Sequence, residues 1–450
     1  DRYWNARGGS HTDGGAFLFT VQYKHDGSAP ELILQDKFGS PVPTPTSTLP
    51  YQNGSVQTNV NSIETIHGNA EDLFSTFSKN LNHWEYPDVL GFLDRLESVG
   101  KETQYWQTPI ETLTLLIDRR YDTHNLRRSS LLSLFDDALI RIFKTIKAAP
   151  TREYRAIAFG DPFPTPDSPE QTIIIDATKY KPEGEKSVAR EIHRLVEKGF
   201  TNFIVANNKG HRFIGAGLGP DTTKIKIDVY GSPGDYLSSG IDGLEIYIHN
   251  NGQDQLAQIM KAGKLVVYGD VGQTFMYGAK GGEAYILGNA AGRPLINAVG
   301  KPRVVINGTC LDYLAESFMA GDPLNGGGFV ILNGIAFDEH NQLIDLETPY
   351  PGGNLFSLAS GGAIYLRDPD KVVSEDQLNG GEFHPFTKAD WQLIQPYLET
   401  NAKLFGIPLE YLLEFEGNIH PPEKIYRKIS PASVRALQAE ESWVAHADTK

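Results

Sequence analysis

The sequence predicts a mainly β protein: a right-handed parallel β-helix of about seven turns, with an N-terminal α+β domain and C-terminal helices. Three observations predict it. A glycine followed by a short apolar run recurs six times, after Gly243, Gly263, Gly282, Gly300, Gly328 and Gly362, at intervals of 20, 19, 18, 28 and 34 residues. A near-fixed period of about 20 with one strand-like run per period is the signature of a coil of stacked layers. Second, the runs are continuous rather than alternating, as in Val266-Val267 and Val304-Val305-Ile306. That pattern belongs to strands buried on both faces, unlike those of a sandwich. Third, Gly231, Asn251-Gly252, Gly269, Gly288, Asn307-Gly308 and Asn333-Gly334 close the strands. Glycine and asparagine best tolerate the positive φ of a sharp bend.

The elements follow in order. Residues 1–150 form the α+β domain: a β-containing stretch at Ala16 to Val21, then helices at Asn69 to Asn80, Pro87 to Ser98, Pro109 to Ile117 and Ser129 to Lys147. The last has Leu132, Leu134, Phe135, Leu139, Ile140 and Phe143 spaced for one buried face. Residues 151–171 read as a linker, because Pro162, Pro164, Pro166 and Pro169 crowd it and X-Pro steps favour extended chain. Residues 172–212 read as strand–helix–strand, with Ile173 to Ile175, a helix from Ser187 to Lys198 ended by Gly199, and Phe203 to Ala206. The β-helix occupies 213–368, which holds more than half of the 45 glycines. Residues 369–450 form the helical cap and tail, opening on Thr387-Lys388-Ala389-Asp390 as a helix-starting cap. The segments on either side are placed to cover the open ends of the stack.

Bulk composition bounds the function. Hydrophobic content of 40% and charged content of 22% are those of an ordinary folded chain. A net charge of −15 argues against a general nucleic-acid binder or a protein of anionic membrane surfaces. No apolar run reaches the roughly 18 residues that span a bilayer. Asp1-Arg-Tyr-Trp-Asn contains neither an apolar signal stretch nor an initiator Met. Cys310 is the only cysteine, so this chain alone forms no disulfide, cysteine-held cluster or Cys-pair zinc site, and a reducing cytoplasm is the expected compartment. In Asn-Gly-Thr-Cys-Leu, just after a strand, Cys310 reads as a small buried residue.

The residues from 172 to 431 resemble the GXGXG domain, the C-terminal β-helix of the glutamate synthase large subunit. A related β-helix forms a subunit of formylmethanofuran dehydrogenase. The resemblance rests on Gly269-Asp-Val-Gly272, Gly278-Ala-Lys-Gly-Gly282 and Gly288-Asn-Ala-Ala-Gly-Arg293. It extends to Leu311 to Gly321, Ala359 to Tyr365 and Glu423 to Pro431. It implies a spacer: in glutamate synthase this domain props the amidotransferase and FMN domains apart and carries neither active site. The chain is too short to hold the flavin barrel as well. Asp1 stands where the amidotransferase has its N-terminal Cys nucleophile. Asn53-Gly54 reads as a turn.

Candidate chemistry is sparse. Gly215-Ala-Gly217-Leu-Gly219 lacks the following helix that a dinucleotide fingerprint requires, and reads as a turn before the strand Lys224 to Val229. Asp221, Asp228, Asp235, Asp242 and Asp270 read as solvated turn residues rather than paired catalytic carboxylates. His384 and His420 are isolated, with no metal-binding spacing. Arg119-Arg120 and Arg127-Arg128 form a basic cluster suited to surface ion pairs or an acidic partner. No catalytic, cofactor-binding or metal residue is assigned, and no cofactor. The expected function is a glutamate synthase-like structural or docking subunit of a larger oxidoreductase or amidotransferase-type complex, partnered by other subunits or by itself. The alternatives are a self-sufficient enzyme with a site between the N-terminal domain and the β-helix, or a homo-oligomeric scaffold. Converging charged and aromatic groups in a concave site would favour the enzyme.

Overall fold

The structure, a computed structural model, describes residues 68–164 and 170–432, together with the backbone of two strands, β1 (Phe17–Gln22) and β2 (Glu31–Asp36), which pair antiparallel. Four helices follow: α1 (Ala70–Asn80), α2 (Tyr86–Thr103), α3 (Gln107–Asp118) and α4 (Arg128–Ala148). Each overlaps the helix its spacing predicts. Asn69 caps α1 by accepting from the Asp72 N–H while the Asp72 side chain accepts in return, which fixes where that helix begins.

The rest of the described chain is mainly β, and ten strands lie parallel in one sheet in sequence order. They are β3 (Tyr154–Ala158), β4 (Thr172–Asp176), β5 (Asn202–Lys209), β6 (Lys226–Ser232), β7 (Asp242–Ile248), β8 (Ala262–Val267), β9 (Glu283–Ile286), β10 (Arg303–Ile306), β11 (Phe329–Leu332) and β14 (Ala363–Arg367). All six apolar runs that follow the repeated glycines are among them. Register runs straight through the sheet: Ile227, Ile246, Leu265, Ala284, Val304, Val330 and Ile364 are successive neighbours and all are buried. The longer repeats hold insertions, a 3-10 turn at Pro323–Asn325 and an antiparallel hairpin of β12 (Ile335–Phe337) and β13 (Leu343–Asp345).

Between strands, each repeat contributes a turn-rich segment that bonds to its equivalents. The N–H groups of Ser238, Ala257, Met276, Leu295, Ala315 and Phe356 donate to the carbonyls of Ile214, Leu237, Leu256, Phe275, Pro294 and Leu314 one repeat earlier. The strands and these segments enclose one apolar interior. Every second residue of the segments has positive φ, as at Gln255, Ala257 and Ile259, then Thr274 and Met276, then Arg293, Leu295 and Asn297. The strand-closing glycines serve another purpose. A Cβ at Gly288 would lie 2.2 Å from Asp270 Oδ1, the atom that accepts from the Asn289 N–H at 2.7 Å. Gly308 stands in the same relation to Asn289, whose Oδ1 accepts from the Thr309 N–H. There glycine makes room for a side-chain cap reaching up from the repeat below.

Three placements differ from expectation. The stretch 151–171, read as a linker, contributes β3 as the edge strand of the sheet, since its prolines cluster after Ala158 and leave that strand's ladder intact. The strands of 172–212 are themselves layers of the sheet, and the helix between them, α5 (Val188–Glu197), buries Val188, Ile192 and Leu195 in the interior at that end. At the other end the cap is β16 (Tyr426–Pro431), antiparallel to β14 and to β15 (Gly381–His384). The helix announced by Thr387, α6 (Lys388–Phe405), covers a face of the sheet instead of its edge: Ile394, Leu398 and Phe405 pack on Val266, Tyr285, Val305 and Tyr365. Asn53-Gly54, Pro166, Pro169 and the tail beyond 432 lie outside the described residues. No helix among those described is long and apolar enough to cross a membrane.

Candidate functional site

The outer face of the sheet alternates with the inner one, so residues such as Ile204, Asp228, Tyr230, Tyr247, His249, Val266 and Tyr268 face away from the interior. Two helical groups cover that face. The helices α1 to α4 pack on Ile174, Ile204, Ala206 and Tyr230, and α6 packs on the later strands. Beneath the first group, over β3 to β8, lies a cavity of about 470 Å³ roofed by α1 and α3.

His249 forms one wall. Its ring stacks on Tyr230 at 4.2 Å and on Tyr268 at 5.4 Å, one ring from each of three successive layers. Nδ1 donates to Asp118 at 2.9 Å and Nε2 to Asp228 at 3.2 Å. Burial disfavours the charged imidazole, yet the carboxylates of Asp118 and Asp228 raise its pKa to about 9. Both nitrogens then carry protons, so His249 is an imidazolium with no lone pair to offer. Burial pushes the Asp118 carboxyl up, with His249 opposing it. Asp228 is less buried and, although desolvation acts on it too, is held below the ordinary value by the His249 hydrogen bond and by Lys226. The three residues fasten α3 to β6 and β7. Removing one partner from such a buried pair costs about 3–5 kcal/mol, because the other charge is stranded.

The open side of the cavity is formed by Tyr154, Lys226, Asp228, Tyr247 and Tyr268, with Glu111 and Glu71 on the roof. The Lys226 ammonium lies 4.8 Å from the Tyr247 ring centre and 3.1 Å from Asp228 Oδ2. Tyr247 donates its hydroxyl to Glu245 at 2.7 Å.

A family model of the GXGXG motif matches residues 179–420, more than half of the chain. The chain belongs to the GXGXG family. The match gives it a glutamate synthase-like domain, as the glycine-rich motifs imply. An uncharacterized protein of Methanocaldococcus jannaschii is 28% identical over 246 residues, which span 53% of this chain and 86% of that protein. Asp228, Tyr230, His249 and Tyr268 lie inside the GXGXG match, whereas Asp118 lies before it. The clamp therefore joins the GXGXG segment to helices outside it.

The residues singled out from the sequence fall as follows. Cys310 is fully buried in the interior, and burial raises its thiol well above the ordinary range. Gly215, Gly217 and Gly219 all have positive φ in a turn, with His193 bonded to the Ala216 carbonyl at 2.8 Å. Asp270 caps Asn289, and Asp242 lies 3.5 Å from Lys261. Asp228 departs from its reading as a solvated turn residue: it sits within a strand, bound to His249. Within the basic cluster Arg127 is exposed and Arg119 pairs with the exposed Glu71 at 3.8 Å, while Arg119 and Arg128 also reach inward. Arg119 donates to the Lys403 carbonyl at 2.8 Å, and Arg128 to the carbonyls of Ile117 and Arg119 at 2.9 Å, so the two join α3 to α4 and α6. His384 is exposed on β15, and His420 lies far along the chain in a loop beside Phe415. Sequence reasoning missed Asp118, His249 and the tyrosines, because residues 131 positions apart meet only through the fold.

Proposed function

We propose that this protein is a glutamate synthase-like structural and docking subunit of a larger oxidoreductase or amidotransferase-type assembly in the cytoplasm, with the catalytic groups on other chains. Its layers wind as a right-handed parallel β-helix of about seven turns: one strand per layer, a second ladder on the turns, and the usual hand of parallel crossovers support this. The observation that carries the functional reading is the commitment of the lone cysteine and of the cavity histidine to structure. Cys310 is a buried thiol, and His249 is a doubly bonded imidazolium. A nucleophile needs the thiolate, and a general base needs a free nitrogen.

A second reading is a self-sufficient enzyme working between the N-terminal helices and the sheet. It is favoured by the convergence of Lys226, Asp228 and four tyrosines on one cavity. Native mass spectrometry of the protein drawn from its own cells, with assays on the purified chain, separates the two. The docking reading expects stable protein partners and no turnover of glutamine or 2-oxoglutarate. Bound flavin or turnover by the chain alone overturns it.

A further inference from the structure

We propose that the cavity over β3 to β8 binds a small organic ammonium ion. This goes beyond the docking role and does not depend on it. A volume of about 470 Å³ is within the range of sites that enclose small ligands. The walls offer two things that attract a cation. The first is aromatic rings: Tyr154, Tyr247 and Tyr268 line the space, Tyr247 with its ring toward the Lys226 ammonium, and burial raises each phenol's pKa, so the rings stay neutral with their negative quadrupoles intact. The second is carboxylate: Asp228 on the floor and Glu111 on the roof, with Glu71 at the rim shared with Arg119 at 3.8 Å.

The chain itself shows the recognition in use. Lys226 places its ammonium over the Tyr247 ring and against Asp228 Oδ2, which is how a carboxylate and a ring together hold a positive amine. Its side chain is about half exposed, at 49%, so it can swing outward and yield that place to an incoming cation. His249 and Asp118 do not compete, because each is spent on the other, and His249 holds Asp228 through Oδ1 alone. Asp228 is thus aimed with Oδ2 toward the space. Among the described residues lining the cavity, Lys226 is the only cation apart from the sealed His249, so an anion would face more carboxylate than ammonium.

The test is calorimetric titration of the full chain with butylammonium chloride and tetramethylammonium chloride, against sodium butyrate and sodium chloride at matched ionic strength. Saturable binding of an ammonium salt with Kd below roughly 10 mM, and none of butyrate, is expected. Asp228→Asn keeps an oxygen to accept from His249 Nε2–H and should weaken binding at least about tenfold. Glu111→Gln, on the roof and away from the clamp, checks the same point should the first variant melt early, and is expected to weaken binding several-fold. Absence of saturation by either cation overturns the proposal. So does butyrate binding as tightly as butylammonium, or unchanged affinity in the folded variants.

Discussion

With one nitrogen bonded to Asp118 and the other to Asp228, and both carboxylates ionised, His249 has no neutral form that keeps both hydrogen bonds. Its folded pKa of about 9 lies above the ordinary value of 6.5. The folded state therefore holds its proton more tightly than the unfolded one. The resulting stability is fully present below pH 6.5 and is lost as pH rises through 9. A shift of this size corresponds to on the order of 3 kcal/mol. Thermal melts across that window should show stability falling for the natural chain and a flatter profile for His249→Gln. A natural chain whose melting point holds steady over this window would disprove the charged clamp. None of this is legible in the sequence, where Asp118 ends a helix, His249 follows a strand, and no motif connects them.

Strands and helices, in contrast, were open to reading because their signals are local. A glycine and an apolar run specify each layer, and Ser187 and Thr387 cap α5 and α6 where expected. The turn segments were not readable, since Gln255, Ala257 and Ile259 have no composition that announces positive φ at every second position. Such backbone costs about 1–3 kcal/mol per non-glycine residue and persists because the ladder of layers over-determines it. Ile259 has φ 57° and is 43% exposed, so it bears that cost with little burial in return. Ile259→Asn, whose side chain tolerates this region, should gain about 1 kcal/mol in denaturant unfolding. A loss of stability there would mean that the Ile259 side chain has a packing role. Charge adds a further element-scale device. Lys226, Glu245, Lys264, Glu283 and Arg303 are direct neighbours on five successive strands, with signs alternating. A strand that slips by one position loses both these pairs and its buried face.

Across the whole molecule, protection should follow position in the stack. The layers β8 to β10 have neighbours on both sides and α6 above them, whereas β3 has a neighbour only at β4. Hydrogen exchange read by mass spectrometry should find amides of β8 to β10 the slowest and those of β3 the fastest of the parallel strands. Uniform protection along the sheet would show instead that the stack opens as one unit. The edge itself was hidden in the sequence by the prolines that follow it, which suggested a linker. The cavity was hidden for a different reason: it exists only where α1 and α3 meet strands that come from six separate stretches of the chain.

The intervals of 20, 19 and 18 residues carry a consequence for how such a chain can change over time. In the β-helix we propose, each circuit returns the backbone to the same angular position, with a side chain from below already fitted to the N–H above. Length is therefore quantised. Duplicating one entire circuit would seat smoothly, whereas gaining a few residues would throw every later rung out of phase, unless they bulge outward as the β12–β13 hairpin does.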